Sequence, residues 1–136
     1  MSNEELQALF GEFQELNQGL QQIEKQLSLI ANQVVELTVS KQYLEDLHKV
    51  KEGTPILVPI SNGIYAKASL LDNEQLIVNI GANTMLPKTK SEAQSLIDSQ
   101  ITELREMQAA LSEEMKENAE KAVALENEMR ILAANK

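Results

Sequence analysis

Two long segments with a heptad repeat of apolar residues flank a shorter middle segment, Thr54 to Lys88, which contains all three prolines of the 136-residue chain. In the first long segment, two series recur every seven residues: Leu6, Phe13, Leu20, Leu27, Val34 and Leu9, Leu16, Ile23, Ile30, Leu37, Leu44. In the second, the series are Ile97, Leu104, Leu111, Asn118, Leu125, Leu132 and Ile101, Gln108, Met115, Ala122, Met129. This spacing is typical of coiled-coil helices, and we call these positions the seam. We predict helices over residues 3–52 and 91–134.

Capping signals support these helix bounds. Ser2 is a favourable N-cap, and Glu5 follows three residues later, as in a capping box. Ser91 and Gln94 repeat the same spacing before the second helix. Gly53 is predicted to follow the end of the first helix, because glycine readily adopts the left-handed conformation found there.

The predicted first helix needs a long partner. A helix over residues 3–52 would be about 75 Å long, which is too long for a compact domain of this size. One arrangement is an antiparallel coiled coil within the chain, with the middle segment at one end and both termini at the other. The alternative is a parallel homodimer built from either helix.

The middle segment is predicted to form two β-hairpins within residues 54–88, with strands over 56–60, 64–70, 76–80 and 84–86. Asn62-Gly63 is typical of a tight hairpin turn, and Pro87 is predicted to close the fourth strand. Four short strands bury little apolar surface alone, and their edges are templates for further pairing. We therefore expect the hairpins to oligomerise, through Val58, Ile60, Ile64, Ala66, Ala68, Leu76, Val78, Ile80 and Met85.

Apolar residues beyond the seam are concentrated near both chain termini. Phe10 stands beside the seam residues Leu9 and Phe13, and Ile131 stands between Met129 and Leu132. One interpretation is a slightly wide coiled-coil stripe. The other is an exposed patch that binds other apolar chains, since such patches usually mark interaction sites.

Composition disfavours several other functions. The net charge of −9 disfavours nucleic acid and anionic membranes as partners, because both require clustered basic residues. The chain has no cysteine and a single histidine, His48, so we expect no metal site and no cofactor. No nucleophile and base can be paired, and we predict no enzymatic activity. No membrane span or signal peptide is evident, so we expect a cytoplasmic protein.

Several motifs in the middle segment resemble those of the alpha-class prefoldin subunits, especially the archaeal ones. They are Val58-Pro59-Ile60, Gly63-Ile64-Tyr65-Ala66-Lys67-Ala68, Val78-Asn79-Ile80-Gly81, Lys88 and Glu92-Ala93. The layout of the whole chain, residues 1–136, also fits a single prefoldin-like domain. Two hairpins rather than one point to the alpha class.

The resemblance implies a fold and a function. It implies an α+β fold: a long antiparallel α-helical coiled coil with two β-hairpins at one end that join those of other subunits in a β-barrel base. It also implies an ATP-independent holdase chaperone of two alpha and four beta-class prefoldin subunits, which passes unfolded client proteins to a group II chaperonin. As a hypothesis, the client contacts are Leu6, Leu9, Phe10, Phe13, Met129, Ile131 and Leu132. The alternative is a structural or filament-forming coiled-coil subunit without clients.

Overall fold

The computed structural model describes residues 3–135, and the predicted N-cap Ser2 lies outside them. The elements are α1 (Asn3–His48), β1 (Pro55–Ser61), β2 (Ile64–Ser69), β3 (Gln75–Gly81), β4 (Thr84–Thr89) and α2 (Lys90–Ala134). The predicted α+β fold, with two hairpins between two long helices, is confirmed. The chain divides into two compact units. We call residues up to 34 and from 103 onwards the helical unit, and residues 35–102 the hairpin unit.

The helical unit is held together by the predicted seam. Ile23, Ile30, Val34 and Ala122 are buried, and the other seam residues of this unit are half-buried between exposed neighbours. Leu9 lines a groove with Leu132, and Leu16 lines another with Leu125. The two helical segments therefore run antiparallel within one chain, which decides between the two predicted arrangements. No large side chain among residues 3–135 is completely buried, as expected for a two-helix contact.

Polar contacts join the helices in the hairpin unit. Lys41 Nζ lies 2.6 Å from Asp98 Oδ1, and Lys90 Nζ lies 2.9 Å from Glu45 Oε1. Gln94 Nε2 donates a 2.6 Å hydrogen bond to the same Glu45 oxygen. These bonds hold the pKa of Glu45 below its ordinary value, with the hydrogen bond from Lys90 as the largest cause and that from Gln94 next.

Helix α1 ends at His48, so the predicted end at Glu52 is wrong. The amides of Lys49 and Val50 turn back to the carbonyls of Asp46 and Leu47. Asn73, between the two hairpins, then donates its side-chain amide to the carbonyls of His48 (3.3 Å) and Val50 (2.8 Å). A side chain 25 residues away thus satisfies carbonyls that a helix end leaves unpaired. Gly53, with a φ of 83°, lies in the following turn rather than at the cap.

Helix α2 begins at Lys90 with a capping box formed by Thr89 and Glu92, not by Ser91 and Gln94 as predicted. The Glu92 amide donates to Thr89 Oγ1, and the Thr89 amide donates to a Glu92 carboxylate oxygen, both at 3.1 Å. The bonds from Thr89, backbone first, lower the pKa of Glu92. A carboxylate also suits the positive end of the helix dipole. Gln94 is instead bonded to Glu45.

The hairpins form two separate two-stranded sheets, β1–β2 and β3–β4. Val58 pairs with Ala66 in the first sheet, and Val78 pairs with Leu86 in the second. The fourth strand was predicted to be closed by Pro87. Instead it continues to Thr89, and Pro87 pairs with Ile77. Proline is tolerated at this position because one edge of β4 is unpaired among the described residues. A residue without an N–H can face that edge.

Candidate binding surfaces

The two ends of the chain build an apolar groove in the helical unit, which we call the first terminal groove. It has a volume of about 480 Å³ and is lined by Glu5, Ala8, Leu9, Glu128, Ile131 and Leu132. Leu9 and Leu132 are half-buried seam residues, so they form its floor. Ile131 lies beside the seam residue Leu132 on α2, and its side chain remains 60% exposed.

A second terminal groove contains the other series of seam residues. Its volume is about 450 Å³, and its lining is Leu6, Gln7, Phe10, Glu126, Met129, Arg130 and Ala133. Phe10 is 52% exposed beside half-buried Leu6. The structure thus brings six of the seven predicted client residues to the two terminal grooves. Phe13 lies in neither groove and is half-buried in the seam.

Sequence analysis missed a third groove, of about 490 Å³, farther from the chain ends. It is lined by Glu12, Glu15, Leu16, Gly19, Asn118, Lys121, Ala124, Leu125 and Glu128. The usable signal was the pair of small residues, Gly19 and Ala124, which flank the seam without covering it. Glu128 also lines the first terminal groove, so the two grooves adjoin.

The hairpins expose apolar side chains on both faces. In the first hairpin the predicted interface residues Val58 and Ile60 are exposed, and so are Leu57 and Tyr65, which belong to the other face. The remaining predicted interface residues of this hairpin, Ile64, Ala66 and Ala68, are also exposed. Ile56 is the one half-buried residue of these two strands, so the rest of the described chain leaves most of both faces exposed. The interface residues stay a prediction.

The second hairpin is partly covered by the helices of its own unit. Leu76 and Val78 are half-buried and line a groove of about 480 Å³ with Leu44, Ala93 and Ile97. Ile80 remains 52% exposed at the end of β3. Met85 pairs with Asn79 and therefore lies on the face opposite Val78, whose partner is Leu86. Three of the predicted interface residues, Leu76, Val78 and Ile80, therefore line a groove that residues of both helices also line.

The link between the hairpins is fixed by Asp72. Its Oδ1 accepts hydrogen bonds from the amides of Gln75 (3.0 Å) and Glu74 (2.8 Å), which lower the pKa of Asp72. Asn73 beside it caps α1, so this link connects the first helix to the start of β3. Leu71, the preceding residue, is 89% exposed.

The described residues contain no group of three or more His, Cys, Asp or Glu side chains that could hold a metal ion. His48 is exposed, with Nδ1 3.4 Å from the Asn73 carbonyl oxygen. Between residues 3 and 135, no helix is long and apolar enough to cross a membrane.

Two long antiparallel helices joined by two β-hairpins, with apolar grooves between the helices, define a coiled-coil assembly subunit. The profile of the prefoldin subunit family matches residues 5–134. The chain belongs to the prefoldin family and is a subunit of an oligomeric prefoldin chaperone, as the sequence predicted.

Individual relatives support the alpha class. The chain is 31% identical over 117 residues to prefoldin subunit alpha of Pyrococcus horikoshii, covering 82% of this chain and 79% of that protein. It is 34% identical over 102 residues to prefoldin subunit alpha of Thermococcus onnurineus, covering 74% of this chain and 69% of the relative. The cryo-EM structure of filamentous PFD from Methanocaldococcus jannaschii has the same fold. Its TM-score is 0.65 at 20% identity, and the match covers 93% of this chain and 99% of that one.

Proposed function

We propose that this chain is the alpha subunit of a cytoplasmic, ATP-independent holdase, which captures unfolded proteins in its terminal grooves and passes them to a group II chaperonin. The observation that carries the proposal is the pair of apolar grooves in which Phe10 and Ile131 are more than half exposed. Unfolded chains expose apolar side chains, and these grooves offer matching surface.

The physical basis of capture is burial of apolar surface, worth about 25 cal/mol per Å² removed from water. A shallow groove of this kind buries only a few side chains, so a single site binds weakly. Several subunits acting on one client raise the overall affinity through effective concentration. Because each contact is weak and reversible, release requires no nucleotide.

The charge of the helical unit fits a surface that holds apolar chains without aggregating. Residues 1–34 and 103–136 contain thirteen acidic and six basic side chains, so this unit carries −7 of the total −9. Strong net charge keeps exposed apolar surface soluble. Empty terminal grooves can therefore remain open to clients.

Assembly is proposed to use the hairpins, with two alpha subunits and four beta-class subunits in each complex. The support is the exposure of apolar residues on both faces of the first hairpin, including Leu57 and Val58. A two-stranded hairpin is marginal alone in water. Pairing with hairpins of neighbouring subunits would cover these faces.

The test compares paired substitutions in the assembled complex. Phe10→Ser with Ile131→Ser should strongly reduce suppression of aggregation of a chemically denatured protein, because the exposed apolar walls are removed. Both positions are exposed, so the complex should keep its mass. The matched control is Leu29→Ser with Val123→Ser, at residues of similar exposure (64% and 58%) that line none of the grooves described above.

A second test removes both chain ends by deleting residues 1–13 and 129–136. Loss of protection with an intact hexamer mass would support the proposal. Full protection by the truncated complex would refute it and favour the structural alternative. Native mass spectrometry tests the assembly separately, since a homodimer or an open polymer would contradict the proposed hexamer.

A further inference from the structure

The first terminal groove and the third groove adjoin at Glu128, and we call the two together the flank groove. They share Glu128, and together they extend from Glu5 to Gly19 along α1. At 1.5 Å per residue this distance is about 21 Å. An extended peptide of about six residues has the same length.

The floor of the flank groove is mostly apolar. It consists of five residues of the seam, which are four leucines and Asn118, listed as Leu9, Leu16, Asn118, Leu125 and Leu132. At Gly19 a Cβ would meet no atom within 4 Å, so the groove is open at this point. On α2, the small side chain of Ala124 lines the groove without filling it. The groove therefore has room for an apolar side chain beside Gly19.

The walls are acidic. Glu5, Glu12, Glu15 and Glu128 line the flank groove, and Lys121 is the single basic residue among the residues that line it. The second terminal groove differs, because its Glu126 faces Arg130 at 3.7 Å and the pair is neutral. Of the grooves in the helical unit described above, the flank groove is therefore the one with excess negative charge, with four glutamates against one lysine.

We propose that the flank groove selects unfolded segments in which apolar residues are flanked by lysine or arginine. This inference rests on the proposed client binding and adds a chemical preference to it. Apolar side chains occupy the leucine floor while the basic side chains extend to the glutamates of the walls. Segments with acidic flanks are repelled by the same walls.

The expected preference is moderate and depends on salt. Each exposed ion pair changes affinity by about 1.5- to 5-fold. Two or three such pairs should therefore favour a basic over an acidic peptide by roughly tenfold at low ionic strength. Screening by about 0.5 M salt should remove most of this difference.

The experiment uses the assembled complex and three peptides with one apolar core, flanked by lysine, serine or glutamate. The chain has no cysteine, so Ala124→Cys places a single environment-sensitive dye in the groove wall. Titration of each peptide reports occupancy of this groove rather than of partner subunits. The dye should respond to the lysine peptide at about tenfold lower concentration than to the glutamate peptide.

Matched variants test the role of the walls. Glu12→Gln with Glu128→Gln should reduce the tenfold preference to about twofold. Glu113→Gln with Glu120→Gln changes the net charge equally at exposed positions outside the groove, and should leave the preference intact. Glutamine keeps the size of each side chain, and the native mass of the complex verifies assembly.

Equal binding of the three peptides, or an equal loss of preference in both variants, would overturn the inference. The serine peptide separates this failure from that of the proposed function. If the serine peptide binds and aggregation is still suppressed, only the charge preference is wrong. If no peptide binds and no aggregation is suppressed, the proposed client binding fails as well.

Discussion

The helical unit and the hairpin unit both carry apolar surface, but they differ in how much of it they cover and in their net charge. The helical unit covers its seam by pairing two helices and leaves shallow grooves under strong negative charge. The hairpin unit is nearly neutral, with eight acidic and six basic side chains over residues 35–102. It is tied by specific contacts such as Lys41–Asp98 and the Asn73 cap, and it exposes whole strand faces.

This contrast indicates how each surface is suited to its proposed partner. A geometrically defined partner, such as a neighbouring hairpin, requires strands held in a fixed register and position. A client without a fixed shape requires apolar surface that tolerates many side chains, and solubility supplied by charge. Four substitutions test this contrast, in order of decreasing expected effect.

The largest effect is expected in the seam. Ile30→Ala removes a side chain that is only 5% exposed, and should lower the free energy of unfolding by about 2–4 kcal/mol through lost burial and an added cavity. Leu29→Ala, at the neighbouring residue with 64% exposure, should change it by less than about 0.5 kcal/mol. Urea unfolding followed by circular dichroism measures both. Equal losses would mean that Leu29 is covered in the assembled protein.

The next effect concerns the contact that ends α1. Asn73→Ala leaves the carbonyls of His48 and Val50 without their side-chain donor, and should cost about 1–2 kcal/mol. Hydrogen exchange should accelerate in the last turn of α1 and at the start of β3. Asn127→Ala, at an exposed position of α2, is the control. Unchanged exchange near His48 would contradict the assigned cap.

A smaller effect of opposite sign is expected at Gly11. No atom lies within 4 Å of a Cβ built there, and the residue is within α1. Gly11→Ala should therefore stabilise the helical unit by about 0.5–1 kcal/mol, because alanine loses less backbone entropy in a helix. Thermal unfolding measures the gain. A loss of stability would show that the space around Gly11 is filled by a neighbouring subunit.

The smallest effect is a change in pH dependence of the hairpin unit. The pKa values of Glu92, Asp72 and Glu45 are all lowered in the folded chain, so these groups stabilise it above their unfolded pKa values near 4. This contribution is lost as the pH falls through the lower, folded pKa values. Glu92→Gln should flatten the fall in stability between about pH 5 and pH 3. An unchanged slope would contradict the role of the Thr89–Glu92 box.

Local sequence patterns were sufficient to locate the two helices and the four strands, but not all of their ends. The seven-residue spacing of Leu9, Leu16 and Ile23 identifies a buried stripe whatever covers it, because side chains on a helix repeat with its turn. Asn62-Gly63 marks a hairpin turn for similarly local reasons. Most predicted client residues also reached the grooves, because they neighbour the seam near the chain ends.

The errors arose where a distant residue competes with a local signal. Gly53 was a reasonable helix end, but Asn73 reaches back to the carbonyls of His48 and Val50 and ends α1 earlier. Gln94 fitted a capping box with Ser91, yet Glu45 binds its amide from the facing helix. The sequence alone does not show that Gln94 is bonded to Glu45. Ser91 therefore remained the predicted cap, and the junction between β4 and α2 at Thr89 was not located.

The sequence by itself determined the family, the two-helix and two-hairpin layout, and the face of each helix that is buried. Its short-range periodicities carry that information directly. Only the tertiary structure decided that the helices pair within one chain, that β4 passes through Pro87, and that Glu12, Glu15 and Glu128 surround one open groove. The pairing of the helices and the groove depend on which residues of α1 face which residues of α2, and a heptad repeat alone is compatible with more than one such pairing. The extent of β4 depends on its pairing with β3.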